Sequence, residues 1–447
     1  MNKPQPNSLK QIVGLGFGLA VIVGGTLGAG ILRMPSVIAG YTTNPFLFIF
    51  FWILGGLIAL VGASIYAELG TRLHQAGGPF VFAQKAFGNA GGFIAGSSDW
   101  LFMASSISYL SIAIAEYFNK LMKWDLPVGL NASLIITFFA ILQWQGLKSS
   151  SNFQKIVSAI NAICMLLFVG ACFVYFFGEH SYPEVLTSGT PHSLPFLSIF
   201  ILSIRAVFVT YTGWNSAVYF NEEDTNPNHN LPRALIYGVL SVMIIFVLIN
   251  LGLIAVMPLS AIAQTNLPAA EAAQLIFGGW GGNVVTLISI ISLTTCLAAT
   301  LLIPPRILFA ISRKGLFFNV FATLNKHSIP GYALILTALV SIIFSSTGLF
   351  NVVVSMAALF ALIGDLSVYI AIVFIRKQDP SIVPPFKAWA YPFSALFMIF
   401  ITLSLIVGVF IEDTMNCLYA LAVIVLAFPF YFLSKSKSAV DAALAEK

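Results

Sequence analysis

The sequence is poor in charge: Asp, Glu, Lys and Arg make up 8% of its 447 residues, whereas soluble domains carry about 25%. This shortage excludes a soluble enzyme and a soluble basic face for nucleic acid. Cysteine is also scarce, and the four cysteines lie in apolar stretches without metal-type spacing. The five histidines lie in loops or at the ends of apolar stretches, and no catalytic set or phosphate loop accompanies them. We therefore expect no metal, no cofactor and no enzyme activity.

Hydrophobic residues instead make up 59% of the chain, in runs of about 20 residues that can each cross a bilayer as a helix. Most Lys and Arg residues fall on one side of the predicted membrane, so both termini are expected to be cytoplasmic. We expect a multi-pass protein of the plasma (inner) membrane from a prokaryote. The twelve predicted spans are 12–39, 45–70, 91–119, 128–146, 153–177, 196–220, 232–257, 283–311, 331–347, 350–375, 389–411 and 414–433.

Two of these spans are interrupted by glycine and polar residues. The first contains the stretch GGTLGAG at 24–30, and the sixth contains TYTGWN at 210–215. Irregular backbone at membrane depth is tolerated only where it lines a cavity or is buried in protein. Two broken helices in corresponding halves of a membrane chain therefore predict the substrate site of a transporter.

The two breaks each open a block of five predicted spans. Because five is odd, the second block begins on the opposite side of the membrane, which predicts an inverted repeat. We expect one membrane domain over 1–447, with repeat one at about 11–178, repeat two at about 195–376 and two extra helices at about 388–433. The extra helices are expected to be scaffold or dimer contacts, so a monomer and a homodimer both stay open.

Four groups of residues, in order along the chain, resemble a known family. They are the glycine-rich stretch 23–35, Glu68-Leu69 with QAGG at 75–78, GWN at 213–215 with EEDTNP at 222–227 and LPRA at 231–234, and Arg306 with SRKGLF at 312–317. The set resembles the amino acid–polyamine–organocation (APC) superfamily, in its amino acid transporter and antiporter branch. The resemblance implies an all-α membrane protein with twelve transmembrane helices, a LeuT-type 5+5 inverted repeat with discontinuous helices 1 and 6, and alternating access.

The chemistry of a broken helix suggests how a zwitterion would bind. The amides that follow the first break can bind a carboxylate, because a half-helix N-terminus carries free N–H groups and partial positive charge. The carbonyls ahead of the second break can accept from an ammonium group. The alternative, that the glycines only permit close helix packing, is favoured for Gly24 and Gly25. The predicted substrate-binding residues are Thr26, Gly28, Ala29, Gly30, Ile31, Met103, Ser106, Val209, Tyr211, Thr212, Gly213 and Asn215.

The sequence departs from the family at two positions. Val209 stands where many members carry a large aromatic gate, so Tyr211 or Phe208 is a substitute candidate. Asn161 stands where many proton-coupled members carry a lysine. Because Asn cannot carry a proton or a positive charge, coupling through a lysine is not expected. We expect exchange, or cation coupling by other groups.

Charged and hydroxyl side chains inside the predicted spans are functional candidates, because charge is costly there. Asp99 and Asp365 either relay protons or pair with neighbouring polar groups. Thr294 and Thr295 either offer hydroxyls to a cation or serve packing. With Asn161, these four complete the coupling candidates.

Two arginines, Arg33 and Arg205, are predicted in the outer halves of the broken helices. We expect both to lie in an outer vestibule, where one role would be to attract anionic substrates. The alternative, pairing with Glu116 or extension of the side chain outward to the interface, is favoured.

These observations together predict a secondary active transporter or exchanger of amino acids or related amines. The expected partners are the small-molecule substrate and the lipid bilayer, with no nucleic acid. A polyamine transporter is the alternative. A cation channel is less favoured, because a channel should show a ring of like charges or a repeated filter loop.

Overall fold

The computed structural model describes residues 9–28, 30–178, 195–265 and 267–445. Over these residues the fold is helical throughout, as predicted. Ala29 and most of the loop predicted near 178–194 lie outside the described residues. The α-helices are α1 (Leu15–Thr26), α2 (Gly30–Ala39), α3 (Pro45–Arg72), α4 (Pro79–Met122), α5 (Val128–Trp144), α6 (Leu147–Phe177), α7 (Phe196–Thr210), α8 (Pro227–Val256), α9 (Leu259–Gln264), α10 (Pro268–Phe277), α11 (Gly281–Leu301), α12 (Pro304–Arg313), α13 (Gly331–Ser346), α14 (Phe350–Gln378), α15 (Phe393–Glu412) and α16 (Thr414–Ala445).

Fewer helices are long enough to cross a membrane than the twelve spans that the sequence predicts. Within the described residues, eight helical stretches are long and apolar enough, and α1 with α2 makes a ninth if the bent pair counts as one span. Three further apolar helices, α5, α7 and α13, have 15 to 17 residues. The chain is thus a multi-pass membrane protein, and the count of twelve and the inverted repeat stay predictions.

Local sequence explains where the long helices begin and bend. Asn44 caps α3, because its Oδ1 accepts from the amides of Phe46 at 2.9 Å and Leu47 at 3.3 Å, and Pro45 occupies the first turn. α4 is kinked at Gly88, whose φ of +78° is left-handed. The kink separates the aromatic segment at the start of α4 from the membrane-spanning part.

Packing places the broken helices in the interior of the bundle. α1 packs against α6, α8 and α11, and the longest helix, α4, runs along α14. The core between them is built from fully buried aromatic side chains, among them Phe17, Trp52 and Tyr66. The interruptions in α1 and after α7 are therefore enclosed by protein, the setting in which irregular backbone at membrane depth is tolerated.

Candidate transport site

The first break lies between α1 and α2. α1 ends at Thr26, α2 begins at Gly30, and the two axes differ by 47°. The Leu27 amide still donates to the Val23 carbonyl at 2.9 Å, but the Gly28 amide turns to the Thr26 carbonyl at 2.8 Å. This tight turn ends the helical ladder and leaves carbonyl groups of the last turn of α1 without helical partners.

Side chains from two other helices satisfy those carbonyls. The Asn161 Nδ2 of α6 donates to the Leu27 carbonyl at 3.0 Å, and the Cys296 thiol of α11 donates to the Gly25 carbonyl at 3.1 Å. The Ser292 hydroxyl of α11 donates to Asn161 Oδ1 at 2.6 Å. Asn161, which sequence analysis named as a coupling candidate, thus uses its amide to hold the unwound segment against α11.

We expect Asn161→Ala to lower both stability and transport, because it leaves the buried Leu27 carbonyl and Ser292 hydroxyl without partners. Each unsatisfied buried group costs about 1–3 kcal/mol. Thermal unfolding in detergent and uptake in proteoliposomes would measure the effect. Asn250→Ala is the matched control, because Asn250 is also fully buried but donates at 2.7 Å to Phe246 on its own helix. An equal loss in both variants would contradict this role for Asn161.

The second break follows α7 and touches the first. α7 ends at Thr210, and a short 3-10 helix, Ser216–Phe220, resumes after the turn. Gly213 has a φ of +111°, and a Cβ built on it would lie 2.7 Å from the Gly25 carbonyl oxygen. A Cβ on Gly30 would lie 3.2 Å from Thr210 Cγ2. At position 213, only glycine fits both the left-handed turn and the close approach to the Gly25 backbone.

A cavity of about 110 Å³ lies beside the second break. Four of the predicted substrate-binding residues line it, namely Val209, Thr212, Gly213 and Asn215. The other lining residues are Asp99, Phe102 and Tyr109 of α4, Arg205 and Phe208 of α7, Trp214 of the break, Val354, Ala357, Ala358, Ala361, Leu362 and Asp365 of α14, and Leu405 and Val409 of α15. The described residues of the first break do not line this cavity. Gly25, just before that break, packs against Gly213 of the second break.

The cavity contains two carboxylates from different helices. Asp99 Oδ1 accepts from the Tyr219 hydroxyl at 2.9 Å, and Asp365 Oδ1 accepts from the Tyr66 hydroxyl at 2.5 Å. Asp99 is 4% exposed, and its Oδ2 has no hydrogen-bond partner among the described residues. Each carboxylate is therefore held by a tyrosine, and Asp99 keeps one oxygen for another donor.

Sequence analysis missed both tyrosines. Tyr66 lies 299 residues from Asp365, and Tyr219 lies 120 residues from Asp99. Neither separation gives a local spacing signal. The tendency of intramembrane charges to find a polar partner was the available hint.

Several predicted site residues have their polar groups engaged elsewhere. Tyr211 is 1% exposed, and its hydroxyl donates to the Trp52 carbonyl at 2.9 Å, so it is not a gate over the cavity in this conformation. Phe208, the other gate candidate, does line the cavity. The Ser106 and Thr295 hydroxyls donate to carbonyls of their own helices at 2.8 and 2.7 Å, as packing residues do. Met103, Thr26 and Ile31 are buried, and Thr294 is partly exposed.

The two arginines have different surroundings. Arg33 is exposed and acts electrostatically on Glu116, the pairing considered for it from sequence. Arg205 lines the cavity and forms an ion pair with Glu412 at the end of α15, a partner that sequence analysis did not name. Attraction of anionic substrates by Arg205 stays a prediction, and the neighbouring carboxylate opposes it.

The chain that follows the second break carries two glutamate–arginine pairs. Arg306 donates through Nε and Nη2 to the Glu223 carboxylate at 3.2 Å each, and both side chains are 1% exposed. Arg313 donates to both oxygens of Glu222 at 2.6 Å. Burial raises the pKa of Glu222, but the Arg313 hydrogen bonds and charge outweigh burial and hold that pKa below its usual range. Both carboxylates thus anchor this segment to α12.

The start of the chain is fixed to the same segment by its backbone. The Ile12 and Val13 amides donate to the Glu223 carbonyl at 3.0 and 3.1 Å, and the Thr225 amide donates to the Val13 carbonyl at 2.9 Å. The approach to α1 and the exit from the second break therefore form one connected unit.

Comparison with known proteins assigns the family. A profile described as amino acid permease matches residues 16–428. The serine/threonine exchanger SteT of Bacillus subtilis is 26% identical, over 97% of this chain and 99% of its own. The b(0,+)-type amino acid transporter 1 of Mus musculus is 26% identical (95% and 88%), and the branched-chain amino acid permease BcaP of Bacillus subtilis is 24% identical (89% of each). This chain belongs to the amino acid permease family of the APC superfamily, whose members are transporters rather than enzymes.

Proposed function

We propose that this permease is a secondary active transporter or exchanger that moves amino acids by alternating access. The observation that carries the proposal is the contact between two interrupted helices at Gly25 and Gly213, beside a cavity lined by the second break. Discontinuous helices that meet at membrane depth are where secondary transporters hold their substrates. One relative is by name a serine/threonine exchanger, so serine and threonine are the first substrates to test.

The proposed architecture has twelve spans, in two inverted repeats of five and two extra helices. Nine apolar stretches and the three shorter helices α5, α7 and α13 support this number. A helix of 15 to 17 residues is about 22–26 Å long, close to the hydrocarbon thickness of about 30 Å. Both termini are proposed to be cytoplasmic, in the plasma membrane of a prokaryote, and the oligomer is proposed to be a monomer or a homodimer.

The substrate's backbone groups are proposed to bind the two breaks. The amides of Ala29, Gly30 and Ile31, which follow the first break, would donate to the carboxylate. Carbonyls of residues 209–212 would accept from the α-ammonium group. The close approach of Gly30 to Thr210 supports this pairing, because it brings the donor end of α2 next to the acceptor end of α7. A zwitterion matches both ends, and the cavity beside them is left for the side chain.

Coupling is proposed to rest on Asp99 and Asp365. Both line the cavity, and the charge of Asp365 acts on Asp99. Two carboxylates so placed in a membrane are costly unless a cation joins them, and a proton or a small cation would do so. Asn161 is neutral and already bonded to Leu27 and Ser292, which supports a mechanism without the family's lysine.

The same two carboxylates favour one second candidate, a transporter of amines. An amine without a carboxylate would bind Asp99 and Asp365 while leaving the α2 amides unused, and the aromatic side chain of Trp214 lines the same cavity. The amino acid candidate needs the α2 amides for the substrate carboxylate, whereas the amine candidate needs only Asp99 and Asp365. Uptake of amino acids and uptake of polyamines by the same protein can therefore be compared directly.

Reconstituted protein would test the proposal. We expect saturable uptake of labelled serine or threonine that rises when the same amino acid is preloaded inside the vesicles. The Asp99→Asn and Asp365→Asn variants should keep exchange but lose accumulation driven by a pH or sodium gradient. Each gradient is to be imposed separately, with Asp379→Asn as control, because Asp379 pairs with Lys85 away from the cavity.

Two results would contradict the proposal. Uptake of polyamines with no response to any amino acid would favour the second candidate. Gradient-driven accumulation of an amino acid that survives both aspartate substitutions together would refute the coupling assignment and leave the exchange assignment intact.

A further inference from the structure

A second cavity, distinct from the transport cavity, lies where two membrane helices end. It has a volume of about 250 Å³. Arg72 is the last residue of α3, Arg376 lies in the last turn of α14, and Lys387 lies in the segment that leads to α15. Ends of membrane helices meet the headgroup region of the bilayer, so this cavity lies at a membrane–water boundary.

The polar residues that line the cavity are all cationic. Arg72 and Arg376 share one carboxylate, Glu68, with Arg72 Nη2 at 3.0 Å and Arg376 Nε at 2.8 Å from Oε1. The Ala388 amide also donates to Glu68, at 2.7 Å. The nearby Asp379 is paired with Lys85 at 2.9 Å. Three positive charges are thus balanced by one negative charge, which leaves an excess of two at the cavity.

The guanidinium groups are fixed in place before any ligand arrives. Arg376 stacks on the Tyr391 ring at 3.8 Å, which fixes the plane of its N–H groups. The Arg72 side chain is 8% exposed, and its Nη1 is buried with no acceptor among the described residues. A buried cationic donor without an acceptor is costly, and an anion in the cavity would bring oxygens close to it.

The remaining walls are apolar and reach the surface. Two residues of the segment after α14, Ile382 and Val383, line the cavity and are 51% and 73% exposed. A free phosphate ion would gain nothing from such walls, whereas a phospholipid would cover them with its glycerol and acyl groups. The preference of Lys and Arg for one side of a membrane spreads charge along loops; it does not place two arginines on one carboxylate and a lysine in the same cavity.

We propose that this cavity binds the phosphate group of an anionic phospholipid, with Arg72, Arg376 and Lys387 as its cationic contacts and Ile382 and Val383 beside the glycerol region. Basic pockets between membrane helices recognise lipid headgroups in this way. The bound lipid would join the ends of α3 and α14 and hold the segment that leads to α15. This site takes no part in the proposed transport chemistry.

The test uses delipidated full-length protein in detergent, with phosphatidylglycerol or phosphatidylcholine of matched acyl chains. Native mass spectrometry counts bound lipid, and thermal unfolding reports stabilisation. We expect phosphatidylglycerol to bind more tightly and to raise the unfolding temperature. Lys387→Ala should weaken its binding about fivefold, the effect of about one basic residue near an anionic lipid. Lys377→Ala is the matched control, because Lys377 is exposed on the last turn of α14 outside the cavity.

Three outcomes would overturn the proposal. They are equal binding of the two lipids, equal weakening in Lys387→Ala and Lys377→Ala, and full stabilisation by inorganic phosphate or glycerol phosphate alone. The last would assign the cavity to a soluble phosphate. Because the ion pairs of Glu68 are with Arg72 and Arg376 and not with Lys387, a folding defect in Lys387→Ala is not expected. Arg72→Gln, tested by the same lipid counts, gives a second measurement.

Discussion

Gly28→Ala is expected to fold normally and to lose most of its transport. A Cβ on Gly28 would meet nothing closer than the Cys296 sulfur at 3.5 Å, an ordinary contact. The added methyl group would stand at the unwound segment where the substrate carboxylate is proposed to dock. Loss of one charge-assisted hydrogen bond costs about 1.5–3 kcal/mol, which is about 10- to 100-fold in affinity. Exchange in proteoliposomes, normalised to the reconstituted protein, measures the loss.

Gly16→Ala is the control for this experiment. Gly16 lies in α1, the helix that ends just before Gly28, and a Cβ on it would meet nothing within 4 Å. It should keep both folding and transport. Gly213 is unsuitable for the same comparison, because its positive φ and its contact with Gly25 make any side chain disruptive. Normal exchange by well-folded Gly28→Ala protein would remove Gly28 from the proposed substrate site.

Arg306→Ala is expected to cause the largest loss of stability of any substitution considered. It leaves Glu223 buried without its ion-pair partner, which typically costs about 3–5 kcal/mol, and it also removes a 2.8 Å hydrogen bond to the Leu302 carbonyl and the stacking of Arg306 over the Phe220 ring. The yield of monodisperse protein and its unfolding temperature in detergent measure the effect.

Arg313→Ala and a double variant give the comparison. Arg313 is 27% exposed, so the loss of its pair with Glu222 should be smaller, within about 1 kcal/mol for the charge interaction. Replacing Arg306 and Glu223 together by Met should recover much of the stability, because well-packed apolar residues can substitute for a buried ion pair. A stable Arg306→Ala protein would show that Glu223 finds another partner or loses its charge.

Sequence analysis located features that depend on local composition. The glycine-rich stretch at 24–30 predicted the interruption of the first span, and the helix does end at Thr26 and resume at Gly30. The second interruption was predicted in the same way, around Gly213. Glycine content and the exclusion of irregular backbone from lipid are sufficient for such predictions, because both act within a few residues.

Contacts between residues that are distant in the sequence could not be predicted from it. The amide of Asn161 meets the Leu27 carbonyl across 134 residues, and Arg205 finds Glu412 across the bundle. The spacing of these residues in the sequence does not indicate their partners, because each pairing depends on how the helices are arranged in space. Tyr211 illustrates the converse: its place in the break suggested a gate, but an aromatic core around Trp52 and Phe246 buries it.

The backbone bonds between residues 12–13 and 223–225 bear on how fast and how often the protein can change conformation. Three backbone hydrogen bonds join residues 12–13, which precede α1, to residues 223–225, which follow the second break. Separating them would cost roughly 1.5–4.5 kcal/mol at the usual net value per bond, which is about 10- to 1,000-fold in the population of the separated state. Any rearrangement that moves the two interrupted helices as a single body avoids this cost. Substitutions at residues 12–13 or 223–225, remote from the substrate, should therefore change the populations of the transporter's conformations and the rate at which they interconvert.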